Sequence, residues 1–189
     1  MKPLIRFDED THTYTVDGIV RRSVTQILKA AGEIDDTYFT EHARTRGVLV
    51  HKAVDLYNKN RLDMSSIDVE IEQYVTAYIS FLRISNARVI ASESMVYSKT
   101  YKYPGTFDLY ARIGECRYMI DVKTNHFPSW ATMQVAAYFA AALESGYRPQ
   151  SYGVLVLKKN GDWRFTFNRD HGLDFNRFLA CKEKVDDAN

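Results

Sequence analysis

Residues 118–124 read Tyr118-Met119-Ile120-Asp121-Val122-Lys123-Thr124. Its β-rich composition predicts a strand. Because side chains alternate between the two faces of a strand, Ile120 and Val122 share one face while Asp121 and Lys123 share the other. The strand therefore presents an acid and an amine side by side.

Two further acidic residues lie on the strands that precede this one. Asp108 is on the strand just before, and the short turn at residues 114–115 can bring its carboxylate beside Asp121. Glu93 adds a carboxylate on the strand before that. Converging carboxylates repel each other unless a cation binds between them, and hard oxygen ligands suit Mg²⁺ or Mn²⁺.

The addition of Lys123 makes this cluster typical of phosphodiester hydrolysis. A divalent metal can lower the pKa of a bound water, and a nearby ammonium can orient that water or stabilise developing charge. The alternative for an isolated D-x-K sequence is a solvated ion pair on a strand face.

The D-x-K sequence does not stand alone, because four motifs occur together in the chain in a set order. This argues against a mere solvated ion pair. The motifs are Gly47-x-x-x-His51, Gly105-x-x-Asp108, Asp121-x-Lys123 and Gln134-x-x-x-Tyr138. In this order they resemble the PD-(D/E)xK nuclease superfamily, and within it the RecB-like branch that includes phage-type and mitochondrial exonucleases. The resemblance extends from about residue 12 to residue 158.

The resemblance implies a role for each motif residue. It implies that the metal, Mg²⁺ with Mn²⁺ as a substitute, is held by His51, Asp108, Asp121 and the carbonyl of Val122. Lys123 would position the attacking water, and Glu93 would hold a second metal or a metal-bound water. Gln134 and Tyr138 would line the site and steady DNA, although the alternative is that they only pack on the sheet. Two cysteines are too few for the iron–sulfur cluster found in part of the branch.

The patterning predicts an α/β fold with a mixed central sheet flanked by helices and an N-terminal hairpin, and the resemblance implies a restriction-endonuclease-like core. Asp17-Gly18 predicts the hairpin turn, and Ser23 and Ser66 are expected to begin two helices as N-caps. Helices are expected over residues 23–31, 36–58, 66–82, 128–144 and 173–185. Strands are expected over residues 12–16, 19–21, 88–97, 105–113, 116–124, 151–158 and 163–168.

Candidate DNA contacts surround the proposed site. Arg44, Arg46 and Lys52 border His51 on its helix and could meet phosphates. Lys99, Tyr101 and Lys102 interleave amines with an aromatic ring between Glu93 and Asp108, so bases could stack there while the lysines meet phosphates. The alternative is a solvated hairpin tip whose tyrosines cover the core. Trp130 could stack on a terminal base or equally belong to the core.

Length and composition favour one compact domain spanning residues 1–189. The chain is 46% apolar and 26% charged, and we find neither a membrane-length apolar stretch nor a signal-peptide pattern, so a cytoplasmic protein without membrane contact is expected. The net charge of +1 neither supports nor excludes nucleic acid, because a basic groove can sit on a nearly neutral protein.

The sequence and the resemblance together favour a metal-dependent DNA exonuclease that leaves 5′-phosphates and acts in DNA recombination, repair or phage DNA processing. The alternatives are an endonuclease of the same fold, a catalytically silent DNA-binding module, and a nuclease for RNA. The resemblance also leaves open a single-strand annealing or other recombination protein as a partner, and self-association into a homo-oligomer.

Overall fold

The computed structural model describes residues 3–35, 40–168 and 172–187. Three short strands form an N-terminal antiparallel sheet, ordered β1 (Ile5–Asp8), β2 (Thr13–Val16) and β3 (Ile19–Arg21). Asp17 and Gly18 both have positive φ angles, 51° and 81°, as the predicted hairpin turn requires. The strand β1, which pairs with β2, was not predicted from the sequence.

The larger sheet has five strands in the order of the chain. They are β4 (Arg88–Ser98), β5 (Tyr103–Ile113), β6 (Cys116–Thr124), β7 (Ser151–Leu157) and β8 (Trp163–Asn168). The β6–β7 pair is parallel, and the other three neighbouring pairs are antiparallel. The predicted mixed sheet, with its β4–β5–β6 meander, is confirmed.

Helices cover both faces of this sheet. They are α1 (Val24–Ala30), α2 (Glu41–Asn58), α3 (Val69–Ser85), α4 (Ala131–Glu144) and α5 (Gly172–Asp187). One core lies between the sheet and α1, α4 and α5, and a second lies between the sheet and α2 and α3. The predicted α/β architecture with flanking helices and an N-terminal hairpin is therefore confirmed.

Two predicted helix starts were wrong. The N-cap of α3 is Asp68, whose side chain accepts a hydrogen bond from the backbone N–H of Glu70, whereas Ser66 ends a short 3-10 turn. The helix α4 begins at Ala131, because residues 128–130 form a turn in which the Pro128 carbonyl accepts the Ala131 N–H. Residues 36–39, which were predicted as the start of α2, lie outside the described residues.

The alternation along β6 separates the two cores as predicted. Ile120 and Val122 are fully buried in the core beneath α2 and α3. Along β5 the alternation breaks, since Phe107 packs in the α4 core and Leu109, only two residues later, packs in the opposite core. Asp108 lies at this break. No helix in the described part of the chain is long and apolar enough to cross a membrane.

Two glycines should respond in opposite directions to the same substitution. A Cβ at Gly153 in β7 would lie 2.6 Å from the Phe165 ring and 2.7 Å from the Thr166 carbonyl oxygen, so Gly153→Ala should destabilise the fold by about 1–3 kcal/mol. A Cβ at Gly47 in α2 meets no atom within 4 Å, so Gly47→Ala should stabilise it by about 1 kcal/mol. Urea unfolding followed by circular dichroism measures both, and equal effects would contradict the packing described here.

Candidate active site

The candidate site lies where the pairing of β5 with β6 ends. The last pair is Leu109 with Ile120. Just beyond it the backbone N–H of Val122 donates to Asp108 Oδ2 over 2.6 Å. The Asp108 carboxylate thus takes the place of a backbone carbonyl as the acceptor for the Val122 N–H. This hydrogen bond fixes the carboxylate at the β5–β6 junction.

Two further potential metal ligands, His51 and Glu93, converge on this carboxylate. One ligand atom each from His51, Glu93 and Asp108 lies within 4.8 Å of the others. His51 Nδ1 is 3.5 Å from Glu93 Oε1 and 3.5 Å from Asp108 Oδ1. The structure therefore brings together two residues that were predicted as ligands and one that was assigned a secondary role.

Glu93 reaches this position through an unusual backbone conformation. Its φ angle is +40° within β4, and the β4–β5 register shifts a few residues earlier, between Val89 and Ala91. Positive φ strains a residue with a side chain, and such strain is found at functional sites where the surroundings hold it in place. The neighbouring residue Ser92 is anchored to α2 by a 2.7 Å hydrogen bond from its hydroxyl to Asp55.

Asp121 and Lys123 form a second group beside the first. Asp121 is 1% exposed, and its Oδ2 atom lies 2.8 Å from Lys123 Nζ. This oxygen has no partner with hydrogen-bond geometry among the described residues. The structure thus places Asp121 against the lysine rather than inside the three-residue ligand group, and its predicted role as a ligand stays a prediction.

The ammonium of Lys123 is held from three sides. Besides Asp121, it donates to Gln134 Oε1 over 2.8 Å and lies 4.8 Å from the centroid of the Trp130 ring. Sequence analysis assigned Trp130 to base stacking or to the core. Its contact with the lysine ammonium was missed, because residue spacing does not show which side chain a ring will face.

Gln134 and Tyr138 connect the lysine to the rest of the fold. Gln134 Nε2 donates to Tyr138 Oη over 3.1 Å and to the Thr25 hydroxyl over 3.2 Å. Gly105 leaves room for the Tyr138 ring, since a Cβ at that position would lie 2.5 Å from Tyr138 Cε1. The Gly of G-x-x-D and the Tyr of Q-x-x-x-Y are therefore packed against each other.

The electrostatics of the cluster favour a bound cation. Burial alone would lower the pKa of His51, but the charges of Asp108 and Glu93 outweigh it and raise that pKa to about 10. Burial raises the pKa of Glu93, and nearby Asp108 raises it further. For Asp121, burial and then the charge of Asp108 outweigh Lys123 and raise the pKa to about 7. Burial also opposes ionisation of Asp108, but His51 and then Lys123 lower its pKa.

The donor set fits a divalent metal. It comprises two carboxylates, one imidazole and the hydrogen-bond-deficient Asp121 oxygen nearby. Oxygen-rich sites of this type suit hard cations such as Mg²⁺ and Mn²⁺. The side chain of Val122 is fully buried, and its backbone N–H donates to Asp108. The role of its carbonyl as a further metal ligand remains a prediction.

A cleft of about 690 Å³ opens beside Lys123, and His51, Glu93 and Asp108 do not line it. Its lining includes the predicted contacts Arg44, Arg46 and Trp130, together with Lys123. Arg46 is 19% exposed and lies over the Tyr74 ring, 3.9 Å from Glu70. Lys52 is exposed on α2 but does not line the cleft.

Two cationic or ionisable residues of the cleft were not singled out in the sequence. Lys29 comes from the last turn of α1, and His126 follows β6. Neither belongs to a motif. Only the folded chain, in which residues of α1, α2 and the β6–α4 connection line one cleft, shows that they face the same space as Arg44.

The hairpin tip of Lys99, Tyr101 and Lys102 lies elsewhere. Glu144, at the end of α4, accepts hydrogen bonds from the backbone N–H groups of Lys99 and Thr100. The ring of Tyr101 packs edge-on against Phe175. Since the 14 residues of α4 span roughly 20 Å, the tip contacts the opposite end of α4 from Trp130, and the structure does not bring it to the cleft.

Comparisons with known proteins give partial structural likenesses. Neither a protein-family profile nor a curated protein matches the chain. A Eubacterium rectale protein provisionally named an exonuclease aligns with a TM-score of 0.48 and 13% identity, over 85% of this chain and 74% of its own. The protein SSO0001 aligns with a TM-score of 0.39 and 13% identity, over 86% and 84%. An alkaline exonuclease, LHK-Exo, of Laribacter hongkongensis aligns with a TM-score of 0.37 and 10% identity, over 89% and 91%.

Metal binding should stabilise the protein through Glu93. A ligand present at 100 times its Kd stabilises the folded state by about 2.7 kcal/mol. This corresponds to a rise in Tm of roughly 5–10 °C at this chain length. Mn²⁺ or Mg²⁺ should therefore raise the Tm of the wild type, and Glu93→Gln should lose most of this shift because one anionic ligand is removed. Differential scanning fluorimetry with and without EDTA measures the shift.

The matched control is Glu115→Gln, which removes an exposed carboxylate at the β5–β6 turn. It should keep the full metal-induced shift. Because Glu93→Gln also removes repulsion from Asp108, its Tm in EDTA should equal or exceed that of the wild type. A Tm that drops in EDTA and still rises with metal would show that Glu93 is a structural residue and not a ligand.

Proposed function

We propose that the chain is a Mg²⁺-dependent nuclease that hydrolyses DNA phosphodiester bonds. The observation that carries the proposal is the convergence of His51, Glu93 and Asp108 beside a fixed Lys123 ammonium, next to a cleft lined by further cations. Carboxylates and imidazole suit a divalent metal, and arginine and lysine suit phosphate.

The roles of the chain's own residues follow from their contacts. A bound divalent metal would supply Lewis acidity and offset charge on the scissile phosphate. The ammonium of Lys123 is held by Asp121 and Gln134, and the residue lines the cleft, so that it can orient the attacking water there. Asp121, which is 1% exposed, lies 2.8 Å from that ammonium and helps to hold it in place.

The four motifs support assignment to the restriction-endonuclease-like core of the PD-(D/E)xK nucleases and to their RecB-like branch. Their members meet in space, since Gly105 packs on Tyr138 and Gln134 holds Lys123. The same assignment favours an exonuclease that leaves 5′-phosphates, with Mn²⁺ able to replace Mg²⁺, in recombination, repair or phage DNA processing.

The central experiment compares linear and closed circular DNA with the purified protein. We expect Mg²⁺-dependent loss of linear DNA that EDTA abolishes, with circles left intact. Lys123→Ala and Asp108→Asn should each lower the rate at least a hundredfold, because the first removes the ammonium that can stabilise charge in the reaction and the second removes an anionic metal ligand. Release of labelled nucleotides measures the rate, and analysis of the ends tests for 5′-phosphates.

Two other outcomes would redirect the proposal. Cleavage of closed circles would identify an endonuclease with the same chemistry. A wild-type protein that binds DNA but leaves every substrate intact in Mg²⁺ and Mn²⁺ would be a catalytically silent binding module. Arg83→Glu, an exposed change in the last turn of α3, is the control and should leave the rate unchanged.

Gln134 should affect the reaction rate more than DNA binding. In Gln134→Leu the ammonium of Lys123 loses its amide partner, and Tyr138 and Thr25 lose theirs. We expect kcat to fall about tenfold to a hundredfold, since small misplacements of a catalytic group cost this much, with KM for DNA nearly constant. A rise in KM at unchanged kcat would instead make Gln134 a DNA-contact residue.

A further inference from the structure

We propose that Asp55 is a positioning residue, which sets Glu93 in its metal-binding geometry through the hydroxyl of Ser92. The inference rests on the proposed role of Glu93 as a metal ligand. It gives a function to two residues that belong to none of the four motifs. The path of β4 past α2 supports it.

Two consecutive side chains of β4 reach the same helix. Ser92 Oγ donates to Asp55 Oδ1 over 2.7 Å, and Glu93 Oε1 lies 3.5 Å from His51 Nδ1. Side chains of a regular strand alternate between the two faces of the sheet, so neighbouring residues should not both contact α2. The strand therefore departs from regular geometry at this point.

The departure occurs at Glu93. Ser92 is paired directly with Leu109, which packs in the core beneath α2 and α3, and directly paired residues point to the same face of a sheet. Ser92 thus keeps its regular orientation, and Glu93, with its φ angle of +40°, is the residue that turns back toward α2. The Ser94 hydroxyl donates to the Ser92 carbonyl over 3.0 Å, across this strained residue.

The helix α2 supports the strained conformation from its outer side. A backbone in such a sparsely populated region persists only where its surroundings hold it. His51 and Asp55 lie four residues apart and share one face of α2. Asp55 therefore fixes Ser92 one helical turn from the point where His51 meets Glu93. Without that hydrogen bond Glu93 can relax to regular strand geometry, which directs its carboxylate away from His51.

The carboxylate of Asp55 is itself fixed. Its second oxygen, Oδ2, accepts a 2.7 Å hydrogen bond from Lys59 Nζ, one turn further along α2. Both of its oxygens are thus engaged by protein groups, and Asp55 does not belong to the ligand group of the described residues, which is His51, Glu93 and Asp108. Residues that orient metal ligands typically contribute about tenfold to a hundredfold to metal affinity.

Titration of Mn²⁺ into the metal-free protein tests the inference without DNA. Isothermal titration calorimetry measures the Kd. Asp55→Ala and Ser92→Ala should each weaken Mn²⁺ binding about tenfold to a hundredfold. Asp55→Asn keeps an oxygen acceptor and Ser92→Thr keeps the hydroxyl, so both should stay within about threefold of the wild type.

The matched control is Asp186→Ala in α5. Asp186 pairs with Lys182 at the same i,i+4 spacing that joins Asp55 to Lys59. Its removal should leave the Kd for Mn²⁺ unchanged. Circular dichroism in EDTA shows that each variant is folded before it is titrated, and Ser92→Ala, which removes a single hydroxyl, should keep the wild-type spectrum.

A double-mutant cycle separates positioning from general stabilisation. In Glu93→Gln, the further change Ser92→Ala should weaken Mn²⁺ binding by less than about twofold, because the hydroxyl acts on the metal only through Glu93. Equal losses of affinity in the two backgrounds would overturn the positioning role and make Ser92 a residue that stabilises the fold.

The remaining outcomes distinguish this inference from the nuclease proposal. Mn²⁺ binding that depends on Asp55 and Ser92, in a protein that leaves DNA intact, would support the positioning role and overturn the nuclease. An unchanged Kd in Ser92→Ala would overturn the positioning role even if Mg²⁺-dependent cleavage is observed. Failure of Asp55→Asn to bind Mn²⁺ better than Asp55→Ala would also overturn it, since the hydrogen bond would then not be the cause.

Discussion

The hydrogen bond from the Val122 N–H to Asp108 is the interaction on which the site depends. It lies just past the last β5–β6 pair, so the strands are joined there by a carboxylate. That carboxylate cannot turn toward either core, and its second oxygen is left for His51. Because the alternation of β5 breaks at the same residue, the ligand group forms at the level of the sheet itself, between the helices on its two sides.

Without a bound metal, repulsion between the carboxylates of the cluster lowers the stability of the fold, and the positive groups nearby offset only part of it. Carboxylates near each other in a buried setting repel, and burial raises the pKa of Glu93 and Asp121. His51 and Lys123 offset part of that repulsion, each from a different side. Asp121 Oδ2 nevertheless lacks a hydrogen-bond donor among the described residues. Such arrangements reduce stability, and proteins retain them where a ligand or a reaction needs the charge.

Sequence patterning predicted those parts of the fold and site that depend on local periodicity. The alternation in β6 correctly placed Ile120 away from Asp121, and the motif spacing identified residues that do meet, such as Gln134 with Lys123. The prediction failed where long-range packing decides. Nothing local indicates the positive φ of Glu93, the pairing of β1 with β2, or the docking of residues 98–100 on Glu144. For the same reason Lys29 was missed, since only the folded chain brings α1 and α2 to the same cleft.

The helix α4 ties these long-range features together. Near its start Trp130 and Gln134 hold Lys123, in its middle Tyr138 fills the space left by Gly105, and at its end Glu144 anchors the hairpin tip. Any shift of α4 would therefore disturb the contacts of Lys123, the packing of Tyr138 on Gly105 and the hydrogen bonds of the hairpin tip at once. The hairpin tip acts on the site in this way as a mechanical anchor of the helix, about 20 Å from the lysine along α4. The contact is made by the Ser98 hydroxyl and by the backbone N–H groups of Lys99 and Thr100, so it does not depend on the lysine side chains.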